Sequence, residues 1–303
     1  APFCMARVCG NLDFCHGLLD LEWDAAGLLG DHRPMRFTLL GSGSSGNAAL
    51  FVSRDAKILV DAGLSFRQLM LRAEAAGESL DGLDAVFVTH EHGDHVNGVG
   101  VLARRMNVPV HMTARTRDAL PDAVGKVPNL RVFEAGENIQ VRDIAVTTFS
   151  VEHDAADPVS FVLDDGHGRV GMAADLGRAS NPVRHCLAGS QALVLESNHC
   201  PKLLGKSSYP ASVRQRINGE KGHLSNHKMA SLLHELLHDG LELVVLVHIS
   251  QENNTEELAR QAAQSVLRDH SARLVVATQD VPTPVFTLGA RVPVRAVAAT
   301  VRP

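Results

Sequence analysis

Ala85-Val86-Phe87-Val88-Thr89-His90-Glu91-His92-Gly93-Asp94-His95 is the stretch on which the reading of this chain turns. Its four leading apolar residues, two of them β-branched, predict a buried strand. Directly behind them, His90, His92, Asp94 and His95 put four potential ligands into six residues. A rigid strand that ends in such a cluster projects nitrogen and oxygen donors from one platform. Borderline metals such as zinc take those donors at about 2.0–2.2 Å. Three imidazoles this close repel one another on protonation and gain nothing without a cation, so the cluster points to metal binding.

Working outward, three more apolar runs end the same way. Residues 144–151 run into Glu152 and His153, 169–174 into Asp175, and 243–247 into His248. Singly, a His or Asp at a strand end reads equally well as a cap or a satisfied polar residue. Jointly they share a logic, because ligands at the carboxyl ends of neighbouring strands converge on one edge of a sheet. Five His and two Asp exceed what one tetrahedral ion takes and suit two. The expectation is a dinuclear site. The remaining pattern predicts strands at 36–40, 48–52, 58–60, 108–111, 159–163, 192–195 and 274–277. Helices are predicted at 66–76, 99–106, 211–218, 226–238 and 256–270. Helices recurring between buried strands imply an α/β layered domain.

Composition agrees with a globular protein. Of 303 residues, 45% are hydrophobic and 21% charged, which excludes disorder, a collagen-like repeat and a coiled coil for the bulk of the chain. No window approaches 18 consecutive apolar residues, so no membrane span is expected. Five cysteines without a C-x-x-C pair make a disulfide framework unlikely as a design and favour a cytoplasmic location. Residues 1–34 carry five acids and two bases and read as an N-terminal appendage. The catalytic domain is expected over 35–288, and 289–303 as a C-terminal tail or edge strand.

At this point the blocks resemble a known family. The H-x-H-x-D-H cluster followed by His, Asp and a final His is similar to the metallo-β-lactamase superfamily. That resemblance implies an αββα metallo-β-lactamase sandwich with a dinuclear metal site at the sheet edge. Gly41-Ser42-Gly43-Ser44-Ser45-Gly46-Asn47, Val60-Asp61-Ala62-Gly63 and Glu152-His153-Asp154-Ala155-Ala156-Asp157-Pro158 resemble its WalJ/YycJ-like branch. So do Glu196-Ser197-Asn198-His199, Gly222-His223-Leu224-Ser225-Asn226 and His248-Ile249-Ser250-Gln251-Glu252-Asn253-Asn254. Members of that branch are described as 5′-to-3′ exonucleases on double-stranded DNA. Carried over position by position, the resemblance implies one ion on His90, His92 and His153. It implies a second on Asp94, His95 and His248, with Asp175 bridging. Zinc is the first expectation, with manganese and iron compatible. Asp61 is expected either to accept an imidazole N–H or to serve as a turn residue before Ala62-Gly63. His223 is expected to contact phosphate or protonate the leaving group, the alternative being a place beside a helix N-cap at Ser225 or Asn226. Asp94 is the expected proton acceptor.

A net charge of −5 gives no global attraction to DNA. Between 202 and 228, however, Lys202, Lys206, Arg214, Arg216, Lys221 and Lys228 face one acid, Glu220, a local +5. Lys206, Arg214, Arg216, Lys221 and His199 are the expected substrate contacts. Arg104 and Arg105 are candidates to add to that field, and Tyr209 is a candidate stacking residue. The loop 41–47 lacks the ending of a P-loop; a tight turn or a nest of backbone N–H groups is expected there. A small-molecule hydrolase opening a thioester or lactam, and a non-enzymatic scaffold, are the competing functions.

Overall fold

The protein is described here by a computed structural model in which residues 34–289 are placed. The expected appendage 1–34 and tail 289–303 therefore lie outside the described residues, apart from Pro34 and Gly289.

Two sheets of seven strands each form the centre. The first holds β1 (Arg36–Gly41), β2 (Ala48–Val52), β3 (Lys57–Val60), β4 (Ala85–Phe87), β5 (Val110–Thr113) and β6 (Leu130–Phe133). The second holds β7 (Asn138–Val141), β8 (Ile144–Ser150), β9 (Val159–Asp164), β10 (Arg169–Ala173), β11 (Ala192–Glu196), β12 (Leu243–Val247) and β13 (Arg273–Val276). The chain then returns to the first sheet as β14 (Phe286–Thr287), antiparallel to β1. This two-residue element lies within the domain expected over 35–288, ahead of the stretch 289–303 expected as a tail or edge strand.

Each sheet is antiparallel at one end and parallel at the other. β1, β2 and β3 pair antiparallel, whereas β3 through β6 are parallel. In the second sheet β7 through β10 are antiparallel and β10 through β13 parallel. Parallel strands need covering on both faces, and β11 and β12 are buried at every position. The cover is α1 (Phe66–Ala75), α2 (Gly93–Val96), α3 (Val99–Met106) and α4 (Ala114–Asp118) on the first half. On the second half α5 (Asn181–Leu187), α8 (Asn226–Leu236) and α9 (Glu256–Leu267) cover the sheet, while α6 (Pro201–Lys206) and α7 (Ala211–Asn218) lie in the connection between β11 and α8. Ser65, Thr113, Ser225 and Thr255 start four of these helices by accepting from the backbone N–H three residues on.

The apolar interior divides into three layers. One lies between the sheets, where Phe87 of the first meets Phe161 of the second edge-on at 5.5 Å. One lies under α1 and α3 and one under α5, α8 and α9. The architecture is the expected αββα sandwich. The fifth strand starts two residues later than predicted, because Pro109 has no N–H to give the ladder and offers only its carbonyl, to Val86. β6 and β7 were not foreseen; both are half-exposed edge strands without a long apolar run. Among the described residues no helix is long and apolar enough to cross a membrane.

Candidate metal centre

The donors of the first sheet are set by backbone. β4 ends at Phe87, and the loop beyond it turns through α2 so that Gly93–Val96 closes one helical turn. Two other segments clamp that loop. Asn47 N–H donates to Asp94 O at 2.7 Å, Ala62 N–H to His95 O at 2.9 Å, and Gly98 N–H to Ala62 O at 2.7 Å. The approach is so close that a Cβ on Gly63 would fall 1.6 Å from the Asp94 carbonyl oxygen, so only glycine fits there. The glycine-rich loop 41–47 is thus a tight turn, closed by Gly46 N–H to Gly43 O at 3.0 Å and by Gly43 N–H to Asn47 Oδ1 at 2.8 Å. Its Ser42 hydroxyl accepts from His248 N–H at 2.8 Å, which ties the first sheet's loop to the last strand of the site.

The side chains converge in the way metal ligands require. Thr89 N–H and hydroxyl donate to Asp61, whose Oδ2 stands 2.7 Å from His95 Nδ1. His90 Nδ1 lies 2.9 Å from the Thr89 oxygen, and His153 Nδ1 3.1 Å from Gly222 O. An acceptor fixed at Nδ1 puts the proton there and leaves Nε2 with its lone pair facing inward. His90 Nε2 and His92 Nδ1 approach to 3.1 Å, and His90, His92 and His153 bring one ligand atom each within 4.8 Å of one another. His90, His95 and Asp175 form a second such group.

The second sheet supplies isolated residues. Asp175 follows β10, with Oδ1 2.8 Å from His248 Nδ1 and Oδ2 2.9 Å from His95 Nε2. Its buried Oδ2 accepts no hydrogen bond. His248 follows β12, and its Nε2 lies 4.0 Å from Asp94 Oδ2. Asp61, Asp175 and His248 all have positive φ, at 59°, 53° and 55°. Outside glycine this left-handed geometry costs about 1 kcal/mol per residue. All three strained positions lie within two residues of a strand end and hold a side chain in the cluster. The donor set, with three imidazoles oriented from behind and one buried carboxylate oxygen without a donor, fits divalent cations.

Two departures from expectation stand out. The expected group of Asp94, His95 and His248 is looser than the others: Asp94 Oδ2 lies 3.6 Å from His95 Nε2, and Asn47 Nδ2 reaches both, at 3.2 and 3.0 Å. Moreover, Glu196 had no role assigned from sequence, yet it is fully buried at the end of β11. Its Oε2 accepts from Leu176 N–H and Leu224 N–H at 3.0 Å each, and its Oε1 lies 2.7 Å from His223 Nδ1 and 3.0 Å from His248 Nδ1. Asp175, Glu196, His223 and His248 form a third close group. Glu196 ends the apolar run 192–195 much as His248 ends 243–247, but a lone carboxylate at such a place does not by itself point to a site.

These contacts sort the histidines electrostatically. Burial, then the charge of His95, push the His90 imidazole well below its ordinary pKa. His153 is lowered as well, chiefly by burial. Burial also opposes charge on His95, His223 and His248, but there the carboxylates win. Asp61 and Asp175 raise His95 well above the usual value, and Glu196 with Asp175 does the same for His223. Asp175 and Glu196 lift His248 to about 9. Glu196 itself is held at about 2 despite burial, first by His223. A proton and a cation compete for these lone pairs, so metal loading releases protons.

The expected substrate contacts split. Lys206, Arg216 and Lys221 are exposed on the segment that carries α6 and α7, and α7 buries no residue at all. Arg216 Nε pairs with Asp154 Oδ2 at 2.5 Å, beside His153, while Arg214 is half-buried and donates to Ser207 O at 3.1 Å. His199 departs from expectation: it has no exposed surface, and its Nε2 faces Asn218 Oδ1 at 3.3 Å. The backbone of His199 bridges to Ser225, so it braces the loop from inside. Arg104 donates to the carbonyls of Val124 and Lys126, and Arg105 stacks over Phe66 at 5.2 Å. Both are engaged on the α3 side and add nothing to the basic segment. Tyr209 is half-buried.

Comparison with known proteins places these features. Residues 56–249 match the family described as the beta-lactamase superfamily domain. The exodeoxyribonuclease YycJ of Bacillus anthracis is 33% identical over 237 residues, covering 78% of this chain and 90% of the relative. The exodeoxyribonuclease WalJ of Streptococcus pneumoniae is 33% identical over 228 residues, 74% of this chain and 85% of the relative. Among solved structures, the metallo-beta-lactamase fold protein YhfI of Bacillus subtilis shares the fold with a TM-score of 0.63 at 19% identity, over 82% of this chain and 99% of that one.

Proposed function

This chain belongs to the metallo-β-lactamase superfamily, in its WalJ/YycJ-like branch, and from that membership we propose that it degrades double-stranded DNA from a 5′ end. That it is a hydrolase follows from the family and the ligand cluster. His90, His92 and His153 would hold one divalent ion, and Asp94, His95 and His248 a second, with Asp175 placed to serve both. Zinc suits the nitrogen-rich set, and manganese and iron are compatible. Once bound, the ions supply Lewis acidity at a phosphoryl oxygen.

The rest of the chemistry falls to the chain. Asp94, partly exposed and anchored by Asn47, takes a proton from the water that attacks phosphorus. As the P–O3′ bond breaks, His223 gives its proton to the departing oxygen. Glu196 is suited to keep His223 charged until then: it is buried, ionised and 2.7 Å from Nδ1. Lys206, Arg214, Arg216 and Lys221 bind the backbone phosphates.

The observation that carries this reading is one of position. The exposed basic segment leaves the site at Glu196 and returns to it at His223, so phosphate attraction and the acid share one excursion. The test incubates purified protein with end-labelled duplex, S-lactoylglutathione and a chromogenic lactam across a metal series. Release of nucleotides from 5′ ends supports the proposal. Turnover of only the thioester or lactam overturns it, and no turnover with less than one ion per chain after reconstitution indicates a scaffold.

A further inference from the structure

The glycine-rich turn 41–47 carries no expected ligand, yet two of its side chains reach into the metal centre. Ser42 is buried, and its hydroxyl accepts from His248 N–H at 2.8 Å, although the two residues are 206 positions apart. Asn47 holds Asp94 twice: its backbone N–H donates to Asp94 O at 2.7 Å, and its Nδ2 to Asp94 Oδ2 at 3.2 Å. The carboxamide cannot turn over, because its Oδ1 accepts from Gly43 N–H at 2.8 Å. Asp94 and His248 are two of the three donors proposed for the second ion. Donors proposed for the first are held elsewhere, His90 by Thr89 and His153 by Gly222.

His248 needs such a grip. Its φ of 55° lies in the left-handed region, which is unfavourable for a residue with a Cβ. An unheld His248 relaxes toward the ordinary basins and carries its ring out of place. Ser42 takes its N–H, and Asn198 Nδ2 donates to its carbonyl at 3.0 Å. One net hydrogen bond is of the same order as that strain, so losing one partner shifts the balance. Asp94 Oδ2 stands 3.6 Å from His95 Nε2 and 4.0 Å from His248 Nε2. Ligand atoms of a tetrahedral zinc ion lie about 3.3–3.6 Å apart, so the turn holds this group close to ligand spacing. The turn is itself anchored from behind. Arg72 donates to Leu40 O and Gln279 O at 3.0 and 2.7 Å, and Gln279 Oε1 accepts from Ser45 N–H at 3.2 Å.

We propose that the turn 41–47 is a positioning element dedicated to the second ion. Ser42 and Asn47 set how tightly Asp94, His95 and His248 take that ion, and they leave the ion on His90, His92 and His153 unaffected. The proposal rests on the two-ion reading. Ser42 and Asn47 lie in the connection between β1 and β2 of the first sheet, whereas His248 follows β12 of the second. The turn therefore ties the second ion's affinity to the stacking of the two sheets, and the two ions are set independently.

The test titrates chelated protein with zinc against a competing chelator, the wild type beside Ser42→Ala, Ser42→Thr and Asn47→Ala. The wild type is expected to take two ions. Ser42→Ala and Asn47→Ala should each raise the second dissociation constant by about three- to tenfold, the worth of one hydrogen bond, with the first constant unchanged. Ser42→Thr keeps the hydroxyl, and a cavity of about 240 Å³ bordering Ser42 leaves room for its methyl, so it should restore the second constant. Duplex hydrolysis lost in Ser42→Ala should return when zinc is raised by the same factor, which a misfolded variant does not show. Both constants moving together, neither moving, or Ser42→Thr as weak as Ser42→Ala overturns the role of the turn and leaves the two-ion reading standing. Fewer than two zinc ions on the wild-type protein overturns the two-ion reading and this inference with it.

Discussion

The two halves of the sandwich contribute to the cluster in opposite ways. The first sheet delivers His90, His92, Asp94 and His95 in one loop held by backbone hydrogen bonds to Asn47, Ala62 and Gly98. The second delivers His153, Asp175, Glu196, His223 and His248 from four loops and the end of β11, the last four held to one another by carboxylate–imidazole contacts. One half is a preformed rigid bracket; the other coheres through charge. In the bracket His90 is pushed toward neutrality, whereas His223 and His248 opposite are kept charged, as is His95 where Asp175 reaches across from the second half. A site built this way should lose its second half first.

Asp175 belongs to both halves, touching His95 and His248, and its loss should have the largest effect. Asp175→Ala is expected to lower duplex hydrolysis by at least about 10³, several kcal/mol of metal-assisted stabilisation, with the circular dichroism of the fold retained. Retained activity would place the shared ligand elsewhere. Chelation comes next. Removing ions present at 1,000 times their dissociation constant costs about 4 kcal/mol, or a melting temperature about 10 °C lower. Hydrogen exchange should then speed up around 174–177, 219–224 and 248–250 before 89–98; the reverse order would break the comparison.

Glu196→Gln addresses the charged half alone. It is expected to reduce kcat by about 10². It should also move the alkaline limb of the pH profile to lower pH, because His223 loses the carboxylate that keeps it protonated. A profile that drops in height without shifting would leave Glu196 with a packing role only. A smaller effect is expected of Lys206→Ala/Lys221→Ala, outside both halves: KM raised a few-fold, with kcat unchanged and the salt slope of binding reduced by about 2.

The smallest effect probes the bracket's own sheet. His111 stacks on Phe87 at 4.6 Å, and burial, then Arg131, lower its pKa to about 4. Its folded value lies below the unfolded one, so the neutral ring's contribution is complete above about 6.5 and is lost as pH falls through 4. His111→Gln should therefore flatten the decline in melting temperature between those values; an unchanged slope would mean that other groups dominate it.

How far the site was legible from sequence follows the same division. The bracket could be read directly, because His90 to His95 are neighbours in the chain. His153, Asp175 and His248 could be read because each ends a buried apolar run. Glu196 ends such a run too, but a single carboxylate carries no signal until the imidazoles it serves are placed beside it. His199 misled for the converse reason: its position beside the basic segment suggested exposure, and only packing showed it buried. The short edge strands β6 and β7 were missed because half-exposed strands have no apolar run to find.

By itself the amino-acid order determined the layered α/β class, the buried strands, the helices 99–106 and 211–218 and the loops that carry the His and Asp cluster. Those features depend on local periodicity and on residue types that sit side by side. Tertiary structure alone decided which nitrogen of each imidazole faces inward, that Glu196 joins His223 to His248, and that Ser42 and Asn47 grip His248 and Asp94. Each of these depends on contacts between residues tens to hundreds of positions apart. Such contacts arise only when two twisted sheets stack and bring their strand ends together, a geometry that no run of consecutive residues encodes.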